Sequence, residues 1–159
     1  MPLARSINEF VSEDLPLLAG GVPSGFDAML LAEALQRAFA EGKRPALHIA
    51  RDDARLYSLE SAIQFFAPDL EIITIPAWDC LPYDRVSPQR DIIAGRMAAL
   101  SRLTHKNLKK PRLILTTVNA ALQRVPPISA IQGATFHAEP GDTVDMVKLT
   151  EFLASNGYN

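Results

Sequence analysis

The apolar residues of this chain recur first at helical spacing and then in a short unbroken run. Intervals of three and four residues predict a helix that begins near Gly25 or Phe26 and is closed by Gly42. The run PALHIA (45–50) predicts a short buried strand. The predicted inward residues of the helix are Leu30, Leu31, Ala34, Leu35, Ala38 and Phe39.

The same helix and strand periodicities then return. Either Asp52 or Asp53 is a suitable N-cap for a second helix, and Pro68 follows its predicted end. The run LEIITIP (70–76) predicts a second strand. The predicted buried stripe of this helix comprises Leu56, Leu59, Ile63 and Phe66.

A proline-rich loop at 77–91 leads to the third helix, for which Ser-Pro at 87–88 is a good start. The run RLILTTV (112–118) predicts a third strand, and a short helix follows it, stopped by Pro-Pro at 126–127. The predicted buried stripe of the third helix comprises Ile93, Met97, Leu100 and Leu103. Strands that alternate with helices and are apolar throughout predict an α/β fold, a parallel sheet with helices on both faces.

The pattern changes after residue 127. Residues 134–138 predict a strand, a Pro-Gly-Asp turn follows, and a last helix ends near Gly157 with Met146, Leu149 and Leu153 turned inward. We expect this part to be the beginning of another small domain that is incomplete at residue 159.

The charge balance, the cysteine count and the lack of long apolar runs limit the kinds of function that we expect of this chain. The chain has 159 residues, 16 Lys and Arg against 18 Asp and Glu, and a net charge of −2, which gives no overall argument for nucleic-acid binding. A single cysteine, Cys80, excludes an internal disulfide and a cysteine-rich metal site. The sequence offers no signal peptide and no apolar run long enough to span a membrane, so we expect a cytoplasmic protein.

The stretch GGVPSGFDA (20–28) has the glycine frame of a phosphate-binding loop, G-x-x-x-x-G, from Gly20 to Gly25. Phe26 and Asp27 occupy the positions where such a loop needs Lys and Ser or Thr. Asp27 would repel a phosphate by about 4 kcal/mol at ~4 Å, against about 0.3–2 kcal/mol gained from the helix dipole. The next basic residue, Arg37, lies about three turns on, so no nearby side chain replaces the lysine.

Other candidate groups are weaker. The three histidines, Cys80 and Asp79 have no partners at ligand or catalytic spacing, so we expect no metal site and no catalytic residue. The loop residues Trp78, Leu81, Pro82, Tyr83 and Asp84 either fold back on the core or form a docking surface. A basic cluster comprises Lys106, Lys109, Lys110 and Arg112, which form a solvated loop or contact a phosphate backbone or an acidic partner.

The segment PAWDCLPYDRVSPQRDIIAGRMAALSRL resembles the W-x-x-L-P-Y-D-x-x-S-P-x-x-D-I-x-x-x-R-x-x-x-L motif of the bacterial transcription-repair coupling factor (Mfd) family. The matching positions are Trp78, Leu81, Pro82, Tyr83, Asp84, Ser87, Pro88, Asp91, Ile92, Arg96 and Leu100. Residues 118–125 and the stretch PGDTVDMVKLTEFLASNGY also resemble this family. The resemblance extends over about residues 15–159.

The resemblance implies a RecA-like domain at 15–127 with a degenerate phosphate loop, preceded by an extension at 1–14. The beginning of a small UvrA-binding domain would then follow at 128–159. The family is an ATP-driven DNA translocase that displaces stalled RNA polymerase and recruits UvrA in nucleotide excision repair. Its N-terminal region is similar to UvrB, in which the matching loop is an intact G-x-x-x-x-G-K-T.

This segment is therefore expected to be a non-catalytic scaffold without a cofactor, since ATP and Mg²⁺ belong to the family's separate motor. The implied partners are UvrA, other domains of the same polypeptide and, through the parent protein, RNA polymerase and DNA. Two alternatives stay open: a nucleotide-binding domain with residual ATP affinity at 20–25, and a nucleic-acid-binding module that uses the basic cluster.

Overall fold

A computed structural model describes residues 20–42, 45–80, 85–105, 108–136, 138 and 140–157. The helices of this part are α1 (Phe26–Ala40), α2 (Asp53–Phe66), α3 (Arg90–Thr104), α4 (Val118–Ala121), α5 (Ile128–Gly133) and α6 (Met146–Ser155). The strands are β1 (Ala46–Ala50), β2 (Glu71–Ile75) and β3 (Arg112–Thr117). The order of elements confirms the predicted alternation of strands and helices through β3.

The three strands form one parallel sheet in the order β1-β3-β2. Leu113 in the central strand pairs with Ala46 on one side and with Ile72 on the other. Because side chains alternate across a strand, Leu113 and Leu115 share one face of the sheet, and Arg112, Ile114 and Thr116 share the other. The parallel α/β architecture is therefore confirmed, and it is compatible with a RecA-like domain.

Helices α1 and α2 cover the face of Leu113 and Leu115, which we call the apolar face. The core there is built from Ala28, Ala32, Leu35, Ala50, Leu56, Leu59, Ile63, Ala67, Leu70, Leu113 and Leu115. Asp52 begins α2 as predicted, since its side chain accepts a hydrogen bond from the Arg55 N–H at 2.8 Å. Phe66 is an exception to the predicted stripe because 46% of its surface is exposed.

Helix α3 covers part of the opposite face, which we call the arginine face, and packs on β2. It begins at Arg90, later than the Ser-Pro pair at 87–88 predicts. The carboxylate of Asp79 accepts the Gln89 N–H at 3.3 Å, so a residue from the preceding loop satisfies the start of the helix. Arg96 is buried in this helix, whereas Ile93, predicted to point inward, is 37% exposed.

The arginine face is open beside β1. Leu47 is 56% exposed and Ile49 is 48% exposed, although the apolar sequence of β1 predicts cover on both faces. This edge of the sheet therefore presents an apolar strip among the described residues.

The region after residue 127 differs from the prediction. Helix α5 was not predicted, and it packs against α3 with Ile131 only 4% exposed. The strand predicted at 134–138 is absent from those of its residues that the structure describes. Helix α6 confirms the predicted last helix, but Met146 is 67% exposed instead of turned inward.

Candidate functional site

The glycine loop begins the first helix as the sequence predicts. Gly21 and Gly25 have φ angles of 71° and 87°, in the left-handed region that favours glycine. The Phe26 N–H donates to the Pro23 carbonyl oxygen at 3.1 Å, which closes the turn directly before α1. Gly21 and Gly25 are therefore explained by the backbone geometry of the turn, whether or not an anion binds there.

Asp27 is held by groups of the protein itself. Its Oδ1 accepts the backbone N–H of Gly25 at 3.1 Å, and its Oδ2 forms an ion pair with Nη2 of Arg55 from α2. The Asp27 side chain is 24% exposed and that of Arg55 is 38% exposed. An internal carboxylate thus takes up a loop N–H that a phosphate loop would offer to an anion.

Arg55 corrects our inference that no nearby cation replaces the lysine. The ion pair could not be inferred from sequence spacing, because Arg55 lies 28 residues after Asp27 and reaches the loop from the next helix. A signal was present: Asp52 was a predicted N-cap, and a cap places the residue three positions later in the first helical turn. The cation is directed to Asp27, so the loop contains a closed ion pair instead of a free positive charge.

His48 in β1 lies within electrostatic reach of this pair. Burial of the imidazole lowers its pKa below 6.5, Asp27 acts in the opposite direction, and Arg55 reinforces the lowering. The neutral form of His48 is therefore favoured beside the loop.

Among the described residues, no group of three or more His, Cys, Asp or Glu side chains is arranged to hold a metal ion.

Residues 76–80, the Trp78 loop, are anchored by a side chain of α3 and by one that follows α4. Nη1 of Arg96 donates to the Pro76 carbonyl oxygen at 2.7 Å, and its guanidinium carbon lies 5.1 Å from the Trp78 ring centroid. The Trp78 N–H donates to Oε1 of Gln123 at 2.9 Å. Arg96 and Gln123 lie in the motifs that carry the family resemblance, but their packing partners could not be inferred from spacing.

The candidate docking residues separate into two groups. Trp78 is half-buried, and the guanidinium of Arg96 lies over its ring. Leu81, Pro82, Tyr83 and Asp84 lie outside the described residues. The docking surface at this loop therefore stays a prediction.

The candidate basic cluster contains residues in different environments. Lys109 and Lys110 are exposed, and Lys106 lies outside the described residues. The Arg112 side chain is only 8% exposed, and its Nε donates to Glu71 at 2.8 Å. Its Nη1 also donates to the carbonyl oxygens of Arg102 and His105, so Arg112 fastens the end of α3 to the sheet.

Glu71 is the shared acceptor of two arginines. Its Oε1 accepts from Arg102 at 2.9 Å, and its Oε2 accepts from Arg112. Burial raises the pKa of the Glu71 carboxyl, but the two guanidinium groups outweigh burial and hold it below 4.5. The arrangement stabilises the ionised carboxylate at neutral pH.

No protein-family model matches the chain. The transcription-repair-coupling factor of Escherichia coli (strain K12) is 30% identical over 141 residues, which are 89% of this chain and 12% of that protein. The Haemophilus influenzae protein of the same name is 26% identical over 94% of this chain and 13% of its own length. The Rickettsia typhi protein of that name is 35% identical over 59% of this chain and 8% of its own length.

Fold and loop together define an α/β domain with a parallel sheet and a glycine turn before its first helix. Over most of its length the chain is related in sequence to the transcription-repair-coupling factors, which confirms the predicted resemblance to that family. The chain spans about an eighth of the length of the first two of these relatives. No helix in the described ranges is long and apolar enough to cross a membrane.

Proposed function

We propose that this chain is a non-catalytic, RecA-like module of a transcription-repair coupling factor. In this proposal it belongs to the N-terminal region of a DNA translocase that removes stalled RNA polymerase. The module requires neither ATP nor Mg²⁺ itself, and it supports a small domain that recruits UvrA. The observation that carries the proposal is the Asp27–Arg55 ion pair, which occupies the loop where a nucleotide would need a free cation.

The electrostatics of the loop support the absence of catalysis. Phosphate loops bind nucleotide through backbone N–H groups, a lysine and a hydroxyl that holds Mg²⁺. Here Phe26 supplies no charge, and a bound phosphate would have to displace Asp27 from Gly25 and Arg55. An anion must therefore first break the two interactions of Asp27, and only then can it bind the N–H groups of the loop.

The open edge of the sheet supports a scaffold. Leu47 and Ile49 are both about half exposed on an edge strand whose opposite face packs in the core. Apolar strips of this kind commonly pack against another domain or protein. We propose that other parts of the same longer polypeptide cover this strip.

Nucleotide titration tests the proposal. We expect millimolar or weaker affinity for ATP with Mg²⁺ by calorimetry, and no phosphate release. The double variant Phe26→Lys with Asp27→Thr should bind phosphate groups more tightly but still not hydrolyse ATP. A matched control, Arg37→Gln, changes an arginine that pairs with Glu33 on α1 and should leave nucleotide affinity unchanged. Micromolar ATP affinity or turnover in the unmodified chain would contradict the proposal.

Capture of purified UvrA tests the scaffold function separately. We expect a longer polypeptide that includes the whole small domain to retain UvrA, and the present 159 residues to retain it weakly or not at all. Equal retention by both would place the UvrA contacts within this chain. Failure of the longer polypeptide to bind would remove UvrA recruitment from the proposal without changing the conclusion about ATP.

A further inference from the structure

Helix α5 is packed into the body of the domain, although the sequence predicts a domain boundary before it, at 127–128. It lies against α3, and Ile131 in the middle of α5 is only 4% exposed. The hydroxyl of Thr135 donates to the Ile131 carbonyl oxygen at 2.9 Å, so the residues that follow the helix are still bonded to it. The part of the chain that is fixed on α3 therefore extends through Thr135.

Helix α6 is held in a different way. None of its residues is buried. Its hydroxyl and capping side chains hydrogen-bond to groups within residues 145–156. The centroid of the Phe136 ring lies 6.0 Å from that of Phe152 in α6. These contacts join Phe136 to α6, and none of them reaches α3 or the sheet.

We propose that the link between Thr135 and Phe136 is a hinge, about which α6 turns as a unit relative to the sheet. Thr135 is bonded back to α5, whereas Phe136 lies against α6, so these two neighbours are held from opposite sides. Hinges are commonly a few residues at the end of an element, where few contacts cross between the two sides. Ala134 and Phe136 are exposed, so backbone rotation there displaces no core side chain.

The position of the hinge determines which parts of the chain move together. Helix α5 lies on α3, and α3 carries Arg96, which holds the Trp78 loop. These elements keep their positions on the sheet while α6 changes its orientation. The hinge does not rest on the proposed function, because it follows from the packing of α5 and α6 alone.

Backbone amide NMR relaxation on the 159-residue chain locates the hinge. We expect order parameters near about 0.85 for α3 and α5, and uniformly lower values, about 0.6, for α6. Lower values in α5 as well would place the hinge before α5, and equal values in α3 and α6 would show that there is no hinge. A decrease that grows steadily along α6 would mean that the helix unravels instead of turning. Each of these three results would overturn the proposal.

Two matched variants test the fixed side of the hinge. Ile131→Ala removes the buried side chain that holds α5 on α3, so the order parameters of α5 should fall to those of α6. Val147→Ala is the control, because Val147 is 67% exposed on α6, and it should change neither helix. An α5 that stays ordered in folded Ile131→Ala would contradict the proposal.

Chymotrypsin gives a second measurement that needs no variant. The protease cuts after aromatic residues, and a cut requires a backbone that opens locally. Phe65 in α2 is 81% exposed and Phe136 is 47% exposed, so exposure alone favours a first cut after Phe65. The hinge predicts the reverse order, with unchanged Trp78 fluorescence after the cut at Phe136. Mass spectrometry of the fragments decides between them, and an earlier cut after Phe65 would exclude a hinge at this link.

Discussion

The face of the sheet under α1 and α2 is filled by apolar side chains, whereas the face under α3 is organised around two buried arginines. On the apolar face, Leu113 and Leu115 are fully buried against the two helices. On the arginine face, Arg96 holds the Trp78 loop from the middle of α3, and Arg112 holds the last turn of that helix. Apolar burial is nondirectional, but a guanidinium specifies which carbonyl or carboxylate lies at a given position.

The two faces therefore contribute differently to the protein. The apolar face supplies most of the burial that stabilises the domain, because its core runs continuously from α1 to β3. The arginine face fixes the segments that lead into and out of α3, including the aromatic loop that carries the family motif. The exposed apolar residues of β1 also lie on the arginine face. In our proposal this face therefore contacts other domains.

The largest expected effect comes from shortening a side chain on the apolar face. Leu113→Ala should lower the free energy of unfolding by about 2–5 kcal/mol, because a buried central-strand leucine leaves a cavity that the sheet cannot close. Urea denaturation measures this difference. Leu47→Ala in β1 is the matched control, since Leu47 is 56% exposed and its loss should cost about 1 kcal/mol or less. Equal costs at the two positions would show that the edge strip is covered in solution.

A smaller, pH-dependent effect is expected on the arginine face. Glu71→Gln should lower the free energy of unfolding at pH 7 by about 1–2 kcal/mol, because it weakens the bonds to Arg102 and Arg112. The pKa of Glu71 is lowered by folding, so the unfolded chain takes up a proton first as the pH falls below 4.5. The stabilisation by Glu71 is therefore present above pH 4.5 and is lost as the pH falls through its folded pKa.

Urea denaturation at pH 7 and at successively lower pH checks this direction. The gap between the unmodified chain and Glu71→Gln should narrow below pH 4.5. Glu151→Gln, an exposed position on α6, is the control and should change neither the stability at pH 7 nor its pH dependence. A gap that stays constant down to acid pH would mean that the Glu71 carboxylate does not stabilise the fold.

The difference between the faces also explains how much the sequence could predict. Periodicity located α1, α2, β1, β2 and β3 and most of the apolar core, because apolar burial leaves a regular pattern in the sequence. The packing of the arginine face is harder to predict from the sequence. A buried charged residue such as Arg96 departs from the apolar periodicity, and its burial depends on partners that are distant in sequence. For the same reason Phe26 and Asp27 indicated a degenerate loop, but Arg55 as the partner of Asp27 was missed.

The smallest expected effect concerns His48, the titratable side chain that β1 contributes to the apolar face. Because burial and Arg55 lower its pKa while Asp27 raises it, the two partners can be separated by substitution. Arg55→Gln should raise the pKa of His48, and Asp27→Asn should lower it further below 6.5, as followed by NMR titration of the imidazole. Since the unfolded chain binds this proton first, stability should decline slightly as the pH falls below 6.5. An unchanged pKa of His48 in both variants would show that the ion pair does not reach His48, and that the glycine loop is electrostatically separate from the sheet.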